Sequence, residues 1–278
     1  MKGKKNLRNN DQSFAKNLCC SFRDIVESFA HWRIFCMIGI NDIRKRYTRS
    51  RLGQFWLTLS LAINIAALGF VWSHLFKMPA ATYVPYLAVG TIFWTFICSC
   101  ITEGSMVYIS SSSYLLELNL PKISYVNSLF VRNLVVLLHN LLVLVPIYFF
   151  CPMTISITSI VWSLIGLAVT ILFLFPVVIV TGLFSLRFRD CPNIITSLMQ
   201  IVFYVTPIMW KVELMPERAH GYMLLNPFAV FLALCRDPLM DNVISIDYWI
   251  AAFIYIALGW IIAIPLFGKF RSRIVYWV

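Results

Sequence analysis

Six long apolar stretches alternate with shorter polar ones along the chain, at roughly 56–76, 83–109, 133–150, 160–186, 193–210 and 248–268. About 20 residues of helix cross the hydrocarbon core of a bilayer. Each stretch therefore predicts a span, and together they predict an all-α, polytopic membrane protein with six transmembrane helices. An even number of crossings puts both termini on one side. Only Lys77, Lys211, Arg218 and Arg236 of the 23 Lys and Arg fall on the other side. Basic residues mark the cytoplasmic face, so both ends are expected to be cytoplasmic. The implied organisation is a cytoplasmic arm over 1–55, a membrane domain over 56–268 and a cytoplasmic tail over 269–278. No secretory signal peptide is expected, because the first apolar run starts too late for one.

The polar segments carry their own patterns. Phe22, Val26, Phe29, Trp32 and Phe35 recur every three or four residues, with Arg23, Asp24, Glu27 and His31 at other positions. That spacing makes one apolar helix face, suited to the membrane interface or to packing on protein. Residues 42–53 then bring Arg44, Lys45, Arg46, Arg49 and Arg51 directly before the first span. They form either a topology anchor or a docking surface for phosphate, whose oxygens match the planar donors of arginine. After the second span, Ser110–Ser113 lead into Tyr114, Leu115, Leu116, Glu117, Leu118, Asn119 and Leu120, and Pro121 ends the run. This reads as a short helix over about 113–121. Exposed apolar residues there are costly unless they dock, which predicts a protein partner on the cytoplasmic side. The largest external segment, about 211–247, holds a run that Asn226 caps, Pro227 starts and Pro238 stops. Its apolar core, about nine residues, is too short to span. A re-entrant or interfacial helix covering a cavity mouth is expected, since irregular backbone at that depth must rest on protein or water.

Composition narrows the function classes. The 278 residues are 60% hydrophobic and 13% charged, which leaves no room for a separate soluble catalytic domain. The net charge of +11 flanks membrane spans, so it points to anionic headgroups rather than nucleic acid. No Gly-x4-Gly-Lys-Ser/Thr run occurs, so ATP hydrolysis is not expected from this chain alone. No cofactor or metal cluster is read, and the eight cysteines show no framework. Glu103 lies about seven residues from the inner end of the second span, roughly 10 Å at helical rise. It either pairs with a neighbouring span or sits in a hydrated pathway. Arg132 lies at the inner mouth of the third span, and His139 and Asn140 lie deeper in it. Aromatics at span ends fit interface belts, whereas Phe93, Trp94, Tyr108 and Tyr204 lie deeper and could stack on the apolar faces of sugar rings.

At six places the chain resembles the membrane subunit of type-2 ATP-binding-cassette polysaccharide exporters, which serve O-antigen, capsule or teichoic acid. The matching stretches are 42–56 (DIRKRYTRSRLGQFW), 120–123 (LPKI), 188–192 (FRDCP), 205–210 (VTPIMW), 226–228 (NPF) and 236–239 (RDPL). The resemblance implies a homodimer in the bacterial inner membrane, joined by two cytoplasmic ATPase subunits that bind ATP-Mg. It implies an interface helix at about 22–40 and a coupling helix at Tyr114–Leu120, fitted into a groove on the ATPase. Leu120 stands where the family more often has Phe. External gate helices would fall at about 212–235, with Asn226, Pro227, Phe228 and Phe231 in the gate. A polymer on an undecaprenyl-type lipid would pass between the protomers, its pyrophosphate first meeting Arg44, Arg46, Arg49 or Arg51. A same-family exporter of a small lipid or drug is the alternative. An intramembrane glycan-lipid transferase fits less well, because Glu103 has no acidic partner at its depth.

Overall fold

A computed structural model describes residues 21–47, 53, 55–151, 155–216 and 221–278, and every regular element among them is a helix. Helix α1 covers residues 21–30. Then follow α2 (Trp32–Tyr47), α3 (Phe55–Leu75), α4 (Ala80–Ser105) and two short helices, α5 (Val107–Ser110) and α6 (Ser112–Glu117). Next are α7 (Ile123–Leu141), α8 (Leu144–Phe150), α9 (Ile157–Arg187) and α10 (Cys191–Val205). Helices α11 (Pro227–Arg236), α12 (Ile246–Phe270) and α13 (Ile274–Trp277) complete the order.

Among the described residues, five helical segments are long and apolar enough to cross a membrane: α3, α4, α7 with α8, α9, and α12 with α13. The chain is a multi-pass membrane protein. Two spans differ from the sequence expectation. The third begins at Ile123 rather than 133, because Ser124, Asn127, Ser128 and Asn133 lower its hydropathy yet are all buried within the protein. The fifth is a helix of only 15 residues, about 22 Å long, against a hydrocarbon core of about 30 Å.

The N-terminal helices place their polar side inward. Ser21, Asp24 and Ser28 are buried, and the Ser28 Oγ accepts a 3.0 Å bond from Asn127 Nδ2. Phe22, Val26, Phe29 and Trp32 face outward, whereas Phe35 turns into the core. Farther along, Gly39 passes so close to α7 that a Cβ there would lie 2.6 Å from the Ser128 carbonyl.

Helix α4 is the centre of the protomer, with Tyr83, Leu87, Ala88, Val89 and Ile92 fully buried. Helix α9 packs along it and also holds the buried, ten-residue α11. Asn226 caps α11 as its sequence promised: the side-chain oxygen accepts from the Phe228 and Ala229 amides, and Pro227 occupies the first turn. One face of α9 is a ladder of small residues. Ser163 Oγ donates to the Cys235 carbonyl at 2.7 Å, Thr170 Oγ1 reaches the Phe231 carbonyl at 3.4 Å, and Gly166 lies directly against the Leu234 carbonyl. Small residues let helix backbones approach this closely.

Between α10 and α11 the chain leaves helical geometry through residues 206–210, and its polar groups find partners on α4 and on both ends of α11. Tyr83 Oη donates to the Met209 carbonyl, and Tyr86 Oη to the Pro207 and Trp210 carbonyls. Arg236 Nη1 also donates to the Pro207 carbonyl. That guanidinium lies 4.2 Å over the Tyr86 ring and pairs through Nε with Asp237 at 2.8 Å. Asn226 Nδ2 donates to Thr206 Oγ1 at 3.1 Å. Three separated motifs, at 205–210, 226–228 and 236–239, thus meet at one buried junction.

The ladder on α9 gives a direct test. A methyl at Gly166 would overlap the Leu234 main chain, which no rotamer change relieves. Gly166→Ala should lower stability by about 2 kcal/mol or more, read as a lower melting temperature in detergent. Gly221→Ala, where nothing lies within 4 Å of the added carbon, should leave the melting temperature unchanged. An unchanged Gly166→Ala protein would dissolve the close-packing argument.

Candidate functional site

A groove of about 820 Å³ runs between α4 and α10. The two helices are antiparallel, so residues late in α4 face residues early in α10. At the basic end the groove is lined by Thr102, Glu103, Thr196 and Gln200; at the other end by Trp94, Phe203 and Tyr204. It joins a charged, hydroxyl-bearing floor to an aromatic exit.

The floor is held by a four-sided charge cluster. Glu103 Oε1 takes a 3.0 Å bond from Arg46 of α2, and Oε2 a 2.8 Å bond from Arg132 of α7. Asn133 Nδ2 stands 3.4 Å from the same oxygen, and Arg132 also lies 3.6 Å from Asp42. Pairing with neighbouring helices therefore holds for Glu103, which nonetheless keeps 26% of its side chain exposed in the groove. Burial raises the Asp42 pKa, and Arg132 opposes that rise.

The arginines expected to meet phosphate divide accordingly. Arg46 is engaged by Glu103. Arg44 is exposed at the end of α2. Arg49 and Arg51 lie outside the described residues. Lys45, between Arg44 and Arg46, donates 2.7 Å to Tyr114 Oη and sits 5.1 Å from that ring.

The deep aromatics divide too. Trp94 and Tyr204 line the groove. Phe93 and Tyr108 are buried within the chain and do not line this groove, so the structure does not bring them together with Trp94 and Tyr204 there. Their helix positions put them on the core side of α4 and at the α4–α5 break. Phe203 stands 5.8 Å from Trp94, ring centre to ring centre, and Phe228 stands 6.1 Å from it. Phe231 also needs correction as a gate residue. It is fully buried, stacked 4.1 Å from Phe173 of α9, because α11 is a core element rather than a flap. Of the two phenylalanines, Phe228 remains partly exposed beside the groove.

The short helix α6 forms where expected. Leu115 turns inward at 3% exposure and anchors it, so it is not available to a partner. Leu116 points out at 66% exposure, and Leu118 is also exposed. Tyr114 and Leu120 are partly buried against the core. Pro121 borders a polar cleft of about 370 Å³ lined by Asp24, Lys122 and Arg271. Burial raises the Asp24 pKa, opposed by Arg271, and lowers that of Lys122, opposed by Asp24.

Thr196, Gln200, Phe203 and Thr102 were missed from sequence. A signal existed: Thr196, Gln200 and Phe203 recur at helical spacing on one side of an otherwise apolar stretch.

No protein-family model matches the chain. It is 22% identical over 241 residues to the O-antigen export system permease protein RfbA of Klebsiella pneumoniae, which covers 86% of this chain and 93% of the relative. The polysialic acid transport protein KpsM of Escherichia coli is 24% identical over 213 residues, 74% of this chain and 81% of the relative. The chain is thus similar to polysaccharide-export permeases over most of its length. An O-antigen export system permease protein of Myxococcus xanthus is also similar, 23% identical over 214 residues. The groove, the charge cluster and α6 all lie within a single copy of the chain.

Arg132 is the hub of that cluster. Arg132→Met should cost about 2 kcal/mol, below the roughly 3–5 kcal/mol of a fully buried pair, because both partners keep some exposure. A Glu103→Gln background should shrink that cost measurably in a double-mutant cycle on melting temperature. Strict additivity of the two substitutions would mean that the pair carries no coupling.

Proposed function

We propose that the chain is the permease subunit of an ATP-driven exporter that moves lipid-linked polysaccharide across the bacterial inner membrane, as a homodimer with two cytoplasmic ATPase subunits. The observation that carries this reading is the groove between α4 and α10. Its hydroxyl, amide and aromatic lining suits a sugar chain, since polar edges bond hydroxyls and ring faces cover apolar C–H groups. Resemblance to O-antigen and polysialic acid permeases supports the same substrate class.

Three further features fit. Ile194, Leu198, Ile201 and Val205 form an exposed apolar stripe on α10, beside the groove. A second copy docked there would close two grooves into one path. The outward apolar face of α1 and the start of α2 suits a helix lying in the cytoplasmic interface. Leu116 and Leu118 give α6 a small apolar surface for the ATPase. From there Tyr114 bonds Lys45, and the next residue, Arg46, grips Glu103 in the groove. That contact series is the proposed route by which nucleotide-driven movement reaches the substrate path. Arg44, Arg49 and Arg51 are the proposed first contacts of the lipid pyrophosphate, and Asn226, Pro227 and Phe228 belong to the outer end of the path.

Two experiments bear on this. Leu116→Asp should leave the permease folded and inserted but abolish co-purification of ATPase activity with it. Leu115→Asp should instead destabilise the permease itself, because a charge enters a dry site at a cost of several kcal/mol. Equal behaviour of the two variants would remove α6 as the docking element. For the path, Gln200→Ala and Tyr204→Ala, at two exposed groove-lining side chains, should reduce surface polysaccharide several-fold with normal permease levels. Phe93→Ala should act through lower protein levels. Normal export by both groove variants would place the path elsewhere.

A further inference from the structure

A second cavity, of about 260 Å³, lies at the basic end of α9 and α12. Its walls are apolar: Leu183 and Phe184 from α9, Leu266 and Phe270 from α12. Arg187 and Arg273 stand at its mouth. The last turn of the chain forms one side, where Arg189 Nη2 donates 3.0 Å to the Trp277 carbonyl and fixes α13 in place. The Arg187 guanidinium lies 5.8 Å from the Phe188 ring centre and 6.0 Å from that of Trp277; that of Arg273 lies 5.9 Å from Phe270. Both are exposed, and among the described residues neither has a carboxylate partner.

We propose that this pocket binds an anionic phospholipid of the surrounding leaflet, one acyl chain in the cavity and the phosphate between Arg187 and Arg273. The aromatic rings orient the two guanidiniums without neutralising them. Their planar donors are left for phosphate oxygens. A soluble phosphate would leave the cavity unfilled, and a neutral lipid would leave two arginines without counter-charge. Lys269 and Arg271 lie close in sequence and add to the same field. The inference does not depend on what the protein exports.

Native mass spectrometry of the purified chain tests it, with dioleoylphosphatidylglycerol and dioleoylphosphatidylcholine offered in equal amounts. One phosphatidylglycerol per protomer should survive activation that strips phosphatidylcholine. Arg187→Gln with Arg273→Gln should weaken its retention at least tenfold, and so should Leu266→Trp, which fills the cavity but keeps both charges. Lys269→Gln, on the same end but outside the pocket, should change it less than twofold. Circular dichroism checks that each variant is folded. Equal retention of the two lipids, or an equal loss with Lys269→Gln, would reduce the pocket to general surface charge and overturn the proposal. Displacement by millimolar inorganic phosphate would show that no lipid chain is needed. Displacement by farnesyl pyrophosphate below the phosphatidylglycerol concentration would make this a site for a prenyl carrier, and the resident-phospholipid proposal would fail.

Discussion

Backbone amides and carbonyls have no water to bond inside a bilayer, and this constraint shapes the far end of the protein. A straight helix meets it automatically. Here α10 stops after Val205, and the ten-residue α11 follows, buried within the chain. The freed carbonyls of Pro207, Met209 and Trp210 are taken up by Tyr83, Tyr86 and Arg236. The charge of Arg236 is in turn met by Asp237 and the Tyr86 ring. Arginine suits this place because one rigid fork can serve a carbonyl, a carboxylate and an aromatic face together. A lysine would offer a point charge to one of them.

The same junction explains why the groove exists. A fifth span of full length would continue along α4 and close the space beside Trp94. Because α10 ends early and the chain turns away, Phe203 and Tyr204 stand at an open edge, with Phe228 of α11 behind them. At the other end, Glu103 is held by arginines from two helices, so a carboxylate can face the groove without the full cost of an unpaired buried charge. Each end of the groove is thus bordered by polar groups that pair within the protein.

Much of the fold was legible because its signals are local. Apolar length marked the spans, and Asn226-Pro227 marked the start of α11 with the right cap. The site was less legible, because facing is not local. Phe231 and Phe228 are three residues apart in one helix, yet Phe231 meets Phe173 across a protein interface while Phe228 borders the groove. Phe93 and Trp94 are adjacent, and a helical step of about 100° separates core from groove. The pairing of Arg46 with Glu103 was hidden for another reason. It joins residues far apart in sequence, from α2 to α4, and neither residue's neighbours announce the other.

The N-terminal helices show where sequence pattern and environment part company. In a soluble protein an apolar helix face turns inward. Here Phe22, Val26, Phe29 and Trp32 face out, while Ser21, Asp24 and Ser28 face in. Both arrangements obey one rule, since each face meets surroundings of its own polarity. The inward side contacts Asn127 and the Ile264 carbonyl, which are polar groups offered by spans at their basic ends. The outward side must then meet something apolar. An isolated chain leaves that side uncovered, and four large side chains held open to water would be costly. An apolar surround at this level reverses the sign of that contribution, so the helix is stable in this orientation only where its outer face is kept from water.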